Sequence, residues 1–298
     1  MTVENKPVVV GIGELLWDLL PEGKRAGGAP VNFVYHATQL GAKGYAISAV
    51  GDDTQGAEIL AELDKSRIMH FIETNSYPTG TVEVELQNGI PSYKIIEDVA
   101  WDHIPLSPAA LEIISRADAV CFGTLALRHP NSRATVKTLL EAAPQQAFKY
   151  FDINLRPPYY SAELIDELLK IANVFKINEE EIITVRKLFN LEGSQETVCR
   201  RLMDKYQLRY LIFTAGEKYS IIYSQDKSSY LATPKIKVAD TIGAGDAFSG
   251  AFIQGLLSGM NLRDAHKEAA ATAAFVCTES GAWPKYNYQL IEEIKDGI

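Results

Sequence analysis

The stretch DTIGAGDAFSGAF, residues 240–252, holds three glycines and two aspartates at a point where loop gives way to helix. From Ala247 onward the apolar residues Ala247, Phe248, Ala251, Phe252, Leu256 and Leu257 recur at helical spacing and predict an amphipathic helix over 244–257. Gly243, Ala244 and Gly245 then sit at its N-terminus, where unpaired amides and the helix dipole favour an anion and small side chains let it come close. Asp246 is out of place in a plain phosphate cradle, since its charge repels phosphate. A carboxylate there has a use if it accepts the proton of an attacking hydroxyl. The same residues would also suit an ordinary helix start, with Asp246 complementing the dipole, so the rest of the chain must decide.

The elements that would position this stretch follow a simple rhythm. VVVGIG (8–13) reads as a buried strand, the helical pattern from Val31 to Leu40 ends at Gly41, and YAISAVG (45–51) supplies the next strand. Helices near 54–66, 131–142 and 161–172 alternate with strands near 119–123, 147–152, 173–177 and 209–214. This predicts a three-layer α/β fold, a mostly parallel sheet with helices on both faces and ligands at the strand ends. TGTVEVELQNGIPSYKIIE breaks the rhythm by alternating with period two around Asn88-Gly89, as a hairpin does. With residues 14–20 it is expected to form a small antiparallel sheet, giving one domain over 1–298 with lid segments near 14–28 and 79–100.

Composition narrows the function classes. A net charge of −9 offers no general basic surface for nucleic acid or anionic membrane, and no stretch approaches a membrane span. The opening MTVENKPVVVGIG lacks the pattern of a signal peptide. The three cysteines and five histidines are scattered without metal-ligand spacing, which suits a reducing cytoplasm.

Two stretches together carry a resemblance. DTIGAGDAFSGAF resembles the C-terminal signature, and GGAPVNFVYHATQLG (27–41) the N-terminal one, of the ribokinase-like (phosphofructokinase B) carbohydrate kinases, and the likeness runs from GELLWD (13–18) to GAWP (281–284). It implies the ribokinase-like fold with a β lid, and attack of a sugar hydroxyl on the γ-phosphate of magnesium ATP. Asp246 falls at the catalytic base, and Gly243, Ala244 and Gly245 at the anion hole. Asp18, Gly28 and Asn32 match sugar-binding positions. Asn178 and Glu181 in FKINEEE match the motif that organises magnesium through water. Thr214, Gly216 and Glu217 in FTAGEKY match the nucleotide-phosphate loop, although Tyr219 stands where glycine is common. Ile153 replaces a frequent proline in FDINLRPPYY, while Arg156 there is available for a phosphate or sugar oxygen, or for a surface carboxylate. A monovalent cation such as potassium, held by carbonyls, would draw on Asp240, Ile242, Val276, Glu279 and Gly281.

GELLWDLLP, PTGTVEVEL, VAWDHI and NLRPPYY look most like fructokinases, which implies phosphorylation of D-fructose at the 6-hydroxyl. Ketohexokinase, 2-keto-3-deoxygluconate kinase and ribokinase activities are the alternatives within the family. A sugar-responsive binding protein without catalysis is the alternative outside it. A dinucleotide oxidoreductase, suggested by GIGELL, would need glycine where Leu16 stands. The expected partners are sugar and ATP, with the chain a monomer or a homodimer joined through the lid.

Overall fold

A computed structural model describes residues 6–20, 23–87 and 90–298, with only the backbone taken at 84–87 and 90–93. The chain runs through β1 (Val8–Ile12), β2 (Leu16–Leu20), β3 (Gly23–Gly27), α1 (Ala29–Gln39), β4 (Lys43–Gly51), α2 (Thr54–Lys65), β5 (Met69–Asn75), β6 (Gly80–Gln87) and β7 (Ile90–Ile95). Next come α3 (Pro108–Ile114), β8 (Ala119–Gly123), α4 (Pro130–Ala142), β9 (Phe148–Asp152), α5 (Ala162–Ile171), β10 (Val174–Asn178), α6 (Glu181–Phe189) and α7 (Gln195–Tyr206). The last are β11 (Tyr210–Thr214), β12 (Tyr219–Ser224), β13 (Ser228–Ala232), α8 (Ala244–Leu257), α9 (Leu262–Thr278) and α10 (Tyr288–Asp296).

Nine strands form the central sheet in the order β13-β12-β11-β10-β9-β8-β1-β4-β5. Pairing is parallel from β11 to β5, and β12 and β13 add antiparallel strands at one edge. Because helices cover both faces, neighbouring residues of one strand enter different cores. In β9, Phe151 packs with Phe122 and Phe175 on one side, whereas Tyr150 lies against Phe33 of α1 on the other. The three-layer α/β expectation holds. Among the described residues no helix is long and apolar enough to cross a membrane.

The small sheet has the order β3-β2-β6-β7 and is built from the segments expected to form the lid. Its outer pairs, β2 with β3 and β6 with β7, are antiparallel, and a parallel pair, β2 with β6, joins them. The Asn88-Gly89 turn lies outside the described residues. Tertiary contacts anchor this sheet: Trp17 Nε1 donates to the Gln55 carbonyl at 3.0 Å, Lys24 pairs with Glu58, and Arg25 pairs with Asp240 at 2.9 Å.

Candidate active site

The C-terminal ends of β8, β9 and β10 converge below the first turn of α8. Asp246 shares a small cavity there with Gly123, Asp152, Asn154 and Ser249. Gly243 caps α8 with φ 76°, and a Cβ on it would lie 2.7 Å from that of Ala282, so only glycine fits this turn. A second glycine acts through packing. A Cβ on Gly250 would stand 2.6 Å from the Phe33 carbonyl, so its absence lets α8 press against α1. This close approach brings Asn32 to Asp246.

The Asn32 amide is oriented from behind. Trp283 Nε1, which can only donate, bonds Asn32 Oδ1 at 2.8 Å, and Nδ2 is left to donate to Asp246 Oδ2 at 2.8 Å. Asn32 is therefore no helix cap: α1 is capped by Gly28, whose carbonyl accepts from the amides of Val31 and Asn32. Asp246 is half-buried, with protein crowding its carboxyl and exposed Gly245 beside it. Desolvation, reinforced by Asp152, raises its pKa to about 7, while Lys176, the Asn32 hydrogen bond and Arg156 pull the other way. A carboxylate poised near neutrality can take up and give back a proton at physiological pH.

Lys176 and Asp152 were not singled out among the sequence candidates. They face each other in the parallel register of β10 and β9 and form a buried ion pair of 2.6 Å. Lys176 Nζ lies 3.2 Å from where a Gly245 Cβ would be, so this ammonium sits directly under the helix start. Burial works to lower its pKa, but Asp152, Asp246 and Glu181 more than offset that and raise it. The signal was present as charges within mostly apolar strands, Lys176 in the middle of VFKIN and Asp152 at the end of FKYFD.

Glu14 is the other missed group. It is 3% exposed, its Oε1 accepts from the Ala29 amide at 3.3 Å, and its Oε2 has no partner. Burial first, with help from the charge on Asp246, lifts its pKa to about 7. The folded protein therefore keeps a proton that the unfolded chain releases above pH 4.5, so stability falls as pH rises to about 7. Glu14→Gln removes this cost. It is expected to match the parent at pH 4 and to exceed it at pH 8 by up to about 3 kcal/mol, measured by urea denaturation at both pH values.

The remaining candidates fall into three groups. Asp18 on β2 has its pKa raised by burial against the opposing charges of Arg156 and Arg25, which places these groups with the carboxylates of Glu14 and Asp246. Asn178 and Thr214 pair across the ends of β10 and β11. Asn178 Oδ1 accepts from the Glu180 and Glu181 amides, while Glu181 accepts from the amides of Asn178 at 2.9 Å and Leu155 at 3.0 Å. Burial, then Asp152, raises the Glu181 pKa. Gly216, at φ 52°, and Glu217 are exposed in the turn after Thr214. Thirdly, the Asp240 carboxylate accepts from the amides of Ile242 at 3.0 Å and Gly281 at 3.0 Å while pairing with Arg25. The Val276 carbonyl accepts from the Glu279 amide.

A family model for the pfkB family of carbohydrate kinases matches residues 22–286. The chain belongs to that family. It is an ATP-dependent carbohydrate kinase. An uncharacterised sugar kinase of Pyrococcus horikoshii is 29% identical over 93% of this chain and 92% of its own length. The crystal structure of that protein superimposes with a TM-score of 0.83, covering 97% of this chain and 99% of the other, and it has also been solved in complex with ATP. A 5-dehydro-2-deoxygluconokinase of Bacillus cereus is 27% identical over 86% of this chain and 81% of its own. A fructokinase of Vibrio cholerae, solved with fructose, ADP and calcium, is 21% identical and shares the fold at a TM-score of 0.80, over 97% of this chain and 98% of the other. The carbohydrate kinase thus has its charged groups gathered where the sheet, α1 and α8 meet.

Proposed function

We propose that this kinase transfers the γ-phosphate of ATP to the 6-hydroxyl of D-fructose, with Asp246 as the base. The observation that carries this reading is the Asp246 carboxylate, held by Asn32 in the first turn of α8 beside Gly243, Ala244 and Gly245, where the Ala244 amide makes a 3.3 Å bond to the Thr241 carbonyl. In the step, Asp246 takes the hydroxyl proton as the sugar oxygen bonds to the γ-phosphorus. The bond from that phosphorus to the bridging oxygen breaks, and ADP leaves. Amides of the α8 start stabilise the charge on the transferring group. Asp18, Gly28 and Asn32 hold sugar hydroxyls, and Thr214, Gly216 and Glu217 line the nucleotide phosphates.

Magnesium bound with the nucleotide supplies charge neutralisation. Asn178 and Glu181 fit it through water, because their oxygens already accept backbone amides. The carbonyls of Asp240, Ile242, Val276, Glu279 and Gly281 are proposed to hold potassium. Exposed Arg156, whose charge acts on Glu14, Asp18 and Asp246, favours a second reading, a 2-keto-3-deoxy sugar acid whose carboxylate it would pair.

Coupled assays with D-fructose, D-ribose and 2-keto-3-deoxygluconate, with NMR of the product, test the substrate. The expected result is the highest kcat/KM on fructose and phosphate on carbon 6; a preference for the sugar acid replaces the first reading with the second. For the preferred sugar, kcat/KM is expected to rise about tenfold per pH unit up to about pH 7 and then level off, because Asp246 must be ionised to accept a proton. A flat profile from pH 5 to 8 would remove Asp246 as the base.

A further inference from the structure

At the root of the lid, three parts of the chain meet around His103. The segment between β5 and β6 lays Tyr77 flat on the imidazole, with ring centroids 3.5 Å apart and planes 7° apart. The segment leaving β7 brings Asp98, whose Oδ1 is 2.8 Å from His103 Nε2. From the body, His129 at the start of α4 places its ring 4.2 Å from that of His103. One ligand atom from each of Asp98, His103 and His129 lies within 4.8 Å of the others. None of the three takes part in the site around Asp246.

We propose that Asp98, His103 and His129 bind a late first-row divalent metal ion of the zinc or cobalt class, which ties the chain leaving the lid to the start of α4. Two imidazoles and one carboxylate are the donors such ions prefer, whereas magnesium and calcium take oxygen. His103 is already fixed by its stack on Tyr77, and its side chain is 8% exposed. Asn131 provides outer support, its Nδ2 lying 2.8 Å from His103 Nδ1. A half-turn of that amide presents its oxygen to a proton on Nδ1 and leaves the Nε2 lone pair for the ion. The His129 Nδ1 accepts from the Asn131 amide, so its Nε2 is the ligand atom. Bonds of about 2.0–2.2 Å require the Asp98 and His103 contact to open by roughly half an ångström. Asp98, with its side chain 71% exposed, can move that far. The fourth position is left to water.

The test is titration of the full-length protein with cobalt(II) in millimolar magnesium, followed by the visible cobalt absorption, with zinc calorimetry in parallel. One ion per chain is expected. His129→Gln and Asp98→Asn should each weaken binding by about tenfold or more, and His103→Gln with His129→Gln should abolish it. Zinc should slow hydrogen exchange at residues 96–104 in the parent and not in His129→Gln. The kinase rate of His129→Gln without transition metal should equal that of the parent, which shows that the variant folds. Absence of stoichiometric binding, or equal binding by the double variant, overturns the proposal and leaves a hydrogen-bonded stack at the lid root.

Discussion

An Asp246→Asn variant is expected to lose about 10²–10⁴-fold in kcat while still binding sugar and ATP. The amide is nearly isosteric and its oxygen can still accept from Asn32 Nδ2, so geometry is kept and only proton acceptance is lost. Stability separates this reading from a merely structural one. The folded-state pKa of about 7 exceeds the ordinary 3.8, so the folded protein keeps a proton that the unfolded chain releases, and stability falls as pH rises between these values and levels off above about 7. The variant escapes that cost and should be more stable at pH 8, by about 1–3 kcal/mol, and unchanged near pH 3. Kinetics with isothermal calorimetry for ATP and sugar, and denaturation at both pH values, check it. A residue that only complements the helix dipole would show the reverse, lower stability with the rate intact. Binding of sugar and ATP by the parent without turnover would instead favour a noncatalytic binding protein.

Lys176→Met should have the second largest effect, on both folding and rate. It leaves Asp152 buried without its cation, which is expected to cost about 3–5 kcal/mol. It also removes a charge that lowers the Asp246 pKa, so the rising limb of the pH–rate profile should move to higher pH. The double variant Lys176→Met with Asp152→Asn separates the two effects. Neutralising both partners should recover most of the stability, and because Asp152 raises the Asp246 pKa, the rising limb should return to or below its original position. Thermal denaturation and profiles of kcat/KM between pH 5 and 9 read these outcomes. A profile that stays in place in the single variant would confine Lys176 to a structural role.

What could be read from residues alone followed from how local the signal was. Asp246 and its glycines lie within one helix start, so helical spacing and small side chains were enough to mark them. Asn32 was marked too, but its orientation depends on Trp283, far along the chain. The pairing of Lys176 with Asp152 depends on β10 lying next to β9 in register, which single charges in two strands do not specify. GKRAG has no apolar alternation to mark it, yet it forms β3 through pairing with β2. Histidines 103 and 129 looked scattered because their meeting point is made by separate elements, without the helical spacing of a metal motif.

The parallel union of β2 and β6, with Leu16 facing Gly80, has a consequence for how the molecule comes into being. β2 is synthesised before α1, β4, α2 and β5, and all of these precede its parallel neighbour. On the ribosome β2 and β3 must therefore wait as an incomplete ribbon, and closing so long a loop is entropically costly until the body has drawn its ends together. All four lid strands nevertheless leave the ribosome before β8 and long before α8, so the cover can close well ahead of the helix that carries Asp246, and the site is completed only by the C-terminal part of the chain.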